Sequence, residues 1–234
     1  MKATLITASQ LTRYCGYARV LGKKRKRTRS QLAAMAKGDA FHLAAAHTIT
    51  AGPGDVTDVA DPEVFEWLRV FLLNWQRRSV DVELAVGISP TGRHVPVTEP
   101  EPHKYVAADA RATLLTAGRA DIAWLEEPST AVVLDLKTGK HPPEHPDTNL
   151  QLWSLGLAYA DMVGAERLRV GLYFARNGTT EWSGTIPLDS EEAAQRWADV
   201  EHAARLDETP RVGPWCETCW ERRGCEPYQQ QAAA

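Results

Sequence analysis

Apolar positions along the chain follow two different periods. Between 62 and 78 they recur every three or four residues, and Phe65, Leu68, Phe71, Leu72 and Trp75 fall on one stripe of a predicted amphipathic helix. Asp61 followed by Pro62 supplies its start, an N-cap and a proline at the first helical position. Upstream, Ser9 caps a short predicted helix over 9–20. Ser30 caps a longer, alanine-rich one over 30–49, and Gly52, Pro53 and Gly54 end that region. From 79 the period drops to two. Val80, Val82, Leu84 and Val86 alternate with Asp81 and Glu83, a half-buried strand with both carboxylates on one face. Segments 118–127 and 130–139 read as an antiparallel hairpin turning at Pro128. A helix over 149–164 follows, capped by Asp147 or Thr148 and ended by Gly164. Strands over 168–178 and 179–188 meet at Asn177-Gly178, a helix over 190–206 follows, and 229–234 reads as a frayed tail. This order predicts an α/β or α+β architecture in one domain spanning 1–234.

The second strand of the hairpin, Val132 to Lys140, raises a chemical question. Val132, Val133 and Leu134 predict burial, yet Asp135 and Lys137 follow on one face, with Leu134 and Leu136 on the other. The pair can be a plain ion pair, or half of an active site. Asp121 stands on the neighbouring strand, and an in-register hairpin sets it against Asp135. Two carboxylates that close repel unless a positive group separates them, and a divalent cation satisfies both. Such a cation activates water and stabilises charge on a phosphate, and an adjacent lysine holds the attacking water.

Composition changes this picture little. The 234 residues are 44% hydrophobic and 24% charged with a formal net charge of −3, an ordinary globular balance. No apolar run approaches the ~20 residues that span a bilayer, and the first ten residues lack the pattern of a signal peptide. The expectation is a soluble, cytoplasmic chain. Charge distribution is more informative. Lys23, Lys24, Arg25, Lys26, Arg27 and Arg29 form an almost wholly basic stretch, which is either a solvated loop or a grip on phosphates. Of four cysteines, Cys216, Cys219 and Cys225 cluster near one end and Cys15 stands near the other. CxxC followed by a third cysteine is ligand spacing, and zinc suits four thiolates. Trp215 and Trp220 beside them read as apolar cover.

The motifs together resemble the PD-(D/E)XK nucleases of the RecB type. Gly118 to Asp121 matches its G-x-x-D, Asp135 to Gly139 its D-x-K-T-G, Gln151-Leu152 its Q-L on a helix, and Gly38 to His42 its upstream G-x-x-x-H. The resemblance implies a mixed central sheet flanked by helices. It implies that Asp121 and Asp135 bind Mg²⁺ or Mn²⁺ with His42 and the Leu136 carbonyl, that Lys137 is catalytic, and that Gln151 organises the site. Taken alone, His42 on an alanine-rich helix reads as a packed or surface histidine, and Gln151 as an extension of a helix cap. Glu83 matches a less regular acidic position of the family, and on its own reads as an exposed strand-face glutamate. Where the family often has a tyrosine four residues after its glutamine, this chain has Leu155.

The cysteines extend the likeness. CRISPR-associated and AddB-like members hold a [4Fe–4S] cluster with one cysteine before the core and three after it, the layout of Cys15, Cys216, Cys219 and Cys225. Segments 1–30 and 211–228 then form the cluster region, stapled by iron–sulfur or, alternatively, zinc. The implied activity is a Mg²⁺- or Mn²⁺-dependent DNA exonuclease on single strands or ends, in recombination, phage DNA metabolism or CRISPR adaptation. The other reading is an end-holding or processing subunit for a recombinase, helicase or integrase. Richness in alanine, arginine and valine fits a GC-rich bacterial or phage source.

Overall fold

The computed structural model describes residues 5–11, 15–24, 26–52, 59–75, 79–139, 145–219 and 221–232. In chain order the strands and helices are β1 (Ile6–Thr7), α1 (Tyr17–Lys24), α2 (Arg29–Ala51), α3 (Pro62–Asn74), β2 (Asp81–Ile88), β3 (His94–Val95), β4 (Val97–Glu101), β5 (Lys104–Ala107), β6 (Thr116–Glu126), β7 (Thr130–Lys137), α4 (Leu150–Val163), β8 (Arg167–Phe174), β9 (Thr179–Trp182), β10 (Ile186–Pro187), α5 (Glu191–Arg205) and α6 (Glu226–Ala232). Among the described residues, eight strands form one mixed sheet in the order β10-β8-β7-β6-β2-β3, with β1 beside β6 and β9 beside β8. Strands β4 and β5 make a separate hairpin. The result is a mixed α+β fold, a large mixed sheet flanked by helices. Among the described residues no helix is long and apolar enough to cross a membrane.

The unbroken apolar run over 131–134 of β7 explains its burial on both sides. Ala131 and Val133 join one core with α4 and α5, built around Leu152, Trp153, Leu155, Tyr159, Val170 and Leu172. Val132, Leu134 and Leu136 join a second core with α2 and α3, where Phe41, Trp67, Leu68, Phe71, Trp124 and Tyr173 meet. Each large side chain so enclosed stabilises the fold by about 1.5–3 kcal/mol. Strand β7 pairs antiparallel with β6 only as far as Leu134 and parallel with β8 through Lys137, so its end is held on the β8 flank and open on the other.

Several local expectations shift. Of the helix expected over 9–20, residues 12–14 lie outside the described residues and the remainder does not form one helix. Thr7 and Gln10 close a capping box on a single 3-10 turn, Ala8–Gln10, and α1 begins only at Tyr17. Gly16 between them lies so near α5 that an added Cβ would sit 1.9 Å from the Asp207 carbonyl oxygen. Helix α2 is capped by Thr28 with Gln31, not by Ser30. Asp61 does cap α3, its Oδ1 accepting from the Glu63 and Val64 amides. The buried stripe of α3 is however Val64, Trp67, Leu68 and Phe71, and Phe65 faces solvent at 40% exposure. Asn149, not Asp147 or Thr148, caps α4 by accepting from the Leu152 amide. Pro53, Gly54 and the end of the helix expected through 78 lie outside the described residues, as do Arg25, Trp220 and the last two residues of the expected frayed tail. Residues 229–232 of that tail belong to α6.

Arg19 on α1 is 6% exposed and fastens the N-terminal segment to α5. Its Nε donates to the Gln10 carbonyl at 3.0 Å and its Nη1 to the Leu206 carbonyl at 3.1 Å, while Nη2 donates to the Ala203 carbonyl. A cation thereby satisfies carbonyls at the C-terminal end of α5 that the helix itself leaves open.

Candidate functional site

The sheet opens at one place. On one flank of β6, pairing with β7 stops at Ile122 opposite Leu134, and β1 takes over only at Thr116 and Ala117. Between them, Gly118 to Asp121 face no described strand on that side. A cleft of about 740 Å³ occupies the gap. It is lined by the end of β7, by the turn after β1, by α2, by Gln151 of α4 and by the β4–β5 hairpin.

Continuing the β6–β7 register by one residue sets Asp121 against Asp135, as the hairpin pattern predicts. Both oxygens of Asp121 are engaged. Oδ1 lies 3.2 Å from Nδ1 of His42, and Oδ2 accepts from the Leu136 amide at 2.7 Å. His42 reaches the strand because α2 docks closely there: a Cβ on Gly38, one turn earlier, would stand 2.8 Å from the Thr138 Oγ1. The Thr138 carbonyl is held in turn by Arg176 Nε at 2.8 Å. Burial alone pulls the His42 imidazolium down, but the hydrogen bond and charge of Asp121, with Asp135 and Glu83 nearby, push its pKa up to about 9.

Glu83 completes a set of donors. The β2–β6 ladder pairs Val82 with Ile122 and Leu84 with Ala120 but skips Glu83, which has φ of 51° and stands opposite Asp121. Ligand atoms of His42, Glu83 and Asp121 lie within 4.8 Å of one another and can hold a metal ion. Burial raises the Glu83 carboxyl above its ordinary range, as does Asp121, against the pull of Arg119 and His42. Asp135 lies beside this set and outside it. It is 4% exposed, and its Oδ2 pairs with Lys137 Nζ at 2.6 Å while its Oδ1 accepts from Gln151 Nε2 at 3.1 Å. Burial pushes the Asp135 carboxyl up, and Lys137 opposes it; Lys137 in turn keeps its proton through Asp135 although burial works against the charge. Gln151 thus braces a carboxylate. His42, Glu83, Asp121, Asp135, Leu136, Lys137 and Gln151 all border one cleft.

The basic stretch lies elsewhere. Lys23 and Lys24 belong to α1, and Lys26, Arg27 and Arg29 are exposed and absent from the cleft lining. Residues that the sequence reading missed include Arg119, His103 and Tyr105. Arg119 was within reach, since period two puts it on the Asp121 face; the other two lie in a hairpin whose Pro100 and Pro102 conceal a strand pattern.

Cys15, Cys216, Cys219 and Cys225 line a single small cavity with Trp215, Leu21 and Tyr228. None forms a disulfide. Burial raises the Cys219 thiol, a hydrogen bond from Glu221 opposes this, and the other three sulfurs add to it. Among the described residues no three sulfurs come within 4.8 Å of one another. A zinc tetrahedron with Zn–S of about 2.3 Å sets its sulfurs about 3.8 Å apart, so the thiols surround a space and do not form a gathered set of donors.

Comparison with known proteins adds little. No family model matches the chain, and no curated protein does. Among solved structures it is similar to the crystal structure of SSO0001, with 15% identity and a TM-score of 0.45 over 97% of this chain and 88% of that one.

Proposed function

We propose that this chain is a Mg²⁺- or Mn²⁺-dependent DNA exonuclease of the PD-(D/E)XK type, acting on single strands or ends. The observation that carries the reading is the juxtaposition of two groups in one cleft: a His42, Glu83 and Asp121 donor set, and a buried Asp135–Lys137 pair beside it. A structural ion pair needs no histidine and two further carboxylates next to it, and no open cleft leading to it.

In this reading His42, Glu83 and Asp121 hold the ion, with Asp135 alongside. When bound, a divalent cation supplies Lewis acidity at a phosphodiester oxygen and lowers the pKa of its water. The imidazole favours Mn²⁺, because nitrogen suits transition metals better than it suits Mg²⁺. Lys137 holds its proton, orients the attacking water and offsets the charge that develops on the phosphate. Asp135 fixes the ammonium and Gln151 fixes Asp135, so Lys137 is placed before substrate arrives. Lys26, Arg27 and Arg29, with their neighbours in the sequence, grip the strand outside the cleft in a salt-sensitive, sequence-tolerant way.

What supports a cluster is the order of the four cysteines, one before the core and three after it, and the single cavity they border; their sulfurs are not gathered as a ligand set. We read them as holders of a [4Fe–4S] cluster that staples the N-terminal segment to the region after α5.

Digestion of 5′- and 3′-labelled single strands by anaerobically purified protein tests the activity. Cleavage that needs Mn²⁺ or Mg²⁺, stops with EDTA and is lost in Lys137→Ala is the expected result. A manganese-loaded protein that leaves every DNA substrate intact, or a Lys137→Ala variant as fast as the parent, overturns it. Brown protein with four irons per chain is expected; colourless anaerobic protein holding stoichiometric zinc overturns the cluster.

A further inference from the structure

Two non-glycine residues among those described have positive φ, Glu83 at 51° and His103 at 62°, and both line the same cleft. Such conformations are strained in a residue with a side chain and persist where surrounding structure imposes them. A continuous polar chain joins the two. Arg119 Nε lies 2.7 Å from Glu83 Oε2, Arg119 Nη1 lies 3.7 Å from Glu99 Oε2, and Glu99 Oε1 accepts from the His103 amide at 2.6 Å.

We propose that Arg119 is a positioning residue that holds Glu83 in the metal-binding set and ties it, through Glu99, to the β4–β5 hairpin that walls the cleft. Four points support this, and the proposal rests on the metal reading of the cleft. Arg119 stands two residues before Asp121 on β6, so the strand that presents one carboxylate donor also presents the group that orients another. The rigid guanidinium fork meets two carboxylates along different edges, which a point-like ammonium does less well. A carboxylate has two oxygens, so the one engaged by Arg119 leaves the other for a cation. The ladder skips Glu83, so backbone pairing there does not set its direction, and Arg119 does.

Mn²⁺ affinity, read from the electron paramagnetic resonance of the free ion, tests the assignment. Arg119→Gln is expected to weaken binding by roughly 10–100-fold, the usual scale for a group that orients a metal ligand. Arg119→Lys, which keeps the charge but not the fork, should restore only part of it. In a Glu83→Gln background the same Arg119→Gln change should cost nothing further, because the arginine acts through that carboxylate. Should Arg119→Gln fail to fold, Glu99→Gln carries the prediction at several-fold. Parent-like affinity in Arg119→Gln, or an equal loss in the Glu83→Gln background, overturns the inference alone. A parent chain that binds no Mn²⁺ overturns the metal reading and the inference with it.

Discussion

The cleft and the cysteine cavity are both built from potential metal ligands, yet the fold prepares them differently. In the cleft, oxygen and nitrogen donors already lie within 4.8 Å of one another, because a strand register, a backbone amide and a glycine-permitted helix contact set them there. In the cavity, sulfurs from short 3-10 turns and from the segment before α1 border a space without converging. A sheet can pre-arrange a site at the cost of like-charge repulsion. Turns far apart in sequence leave the final gathering to whatever they bind.

The sharpest way to break this contrast is at Lys137. Its replacement by alanine is expected to slow the proposed DNA cleavage by ~10²–10⁴-fold, the scale of one positioned proton-transfer or charge-stabilising group. Circular dichroism should show the fold retained. Replacement of Cys216 by serine should behave in the opposite manner. With the proposed cluster in place, loss of the cross-link it would make between the two ends of the chain costs on the order of 3 kcal/mol. The melting temperature should then fall by about 10 °C, at roughly 2–4 °C per kcal/mol for a chain of this size. Mn²⁺ affinity at the cleft should stay near the parent value. A Cys216→Ser variant with an unchanged melting point that cannot bind Mn²⁺ would erase the distinction between the two sites.

Gly38→Val sharpens the cleft side. Its Cβ would meet the Thr138 Oγ1 at 2.8 Å, and the branched methyls of valine at this helix–strand contact press α2, and His42 with it, away from the strand. Cleavage should slow by about 10-fold, as a displacement well under 1 Å can cause. The smallest effect belongs to Phe65→Ala, expected to change stability by no more than about 0.5 kcal/mol because the ring faces solvent. A loss of several kcal/mol, measured by urea unfolding, would restore the stripe read from sequence.

Legibility followed the strength of the local signal. The β6–β7 hairpin stood out because one strand alternates apolar and polar while the other is an unbroken apolar run, and register then paired Asp121 with Asp135. Helix α3 was legible as a helix but not in its rotation: Leu68 and Phe71 fit either stripe, and only packing against Trp124 and Tyr173 selects Val64 and Trp67 over Phe65. Glu83 looked like a surface glutamate because alternation assumes a regular ladder, and a positive φ at a non-glycine residue leaves no trace in residue type. The β4–β5 hairpin was missed for a related reason. Its prolines suppress the strand pattern, and an edge pair of that kind tolerates them.

Arg19 gives the metal-free chain an unexpected property. Its guanidinium bonds carbonyls of Gln10, Ala203 and Leu206, and none of these contacts involves a sulfur. The stretch bearing Cys15 is therefore moored to the end of α5 by the protein alone. A cluster of the kind proposed would find its four cysteines already around one cavity, and its loss would not by itself release the N-terminal segment.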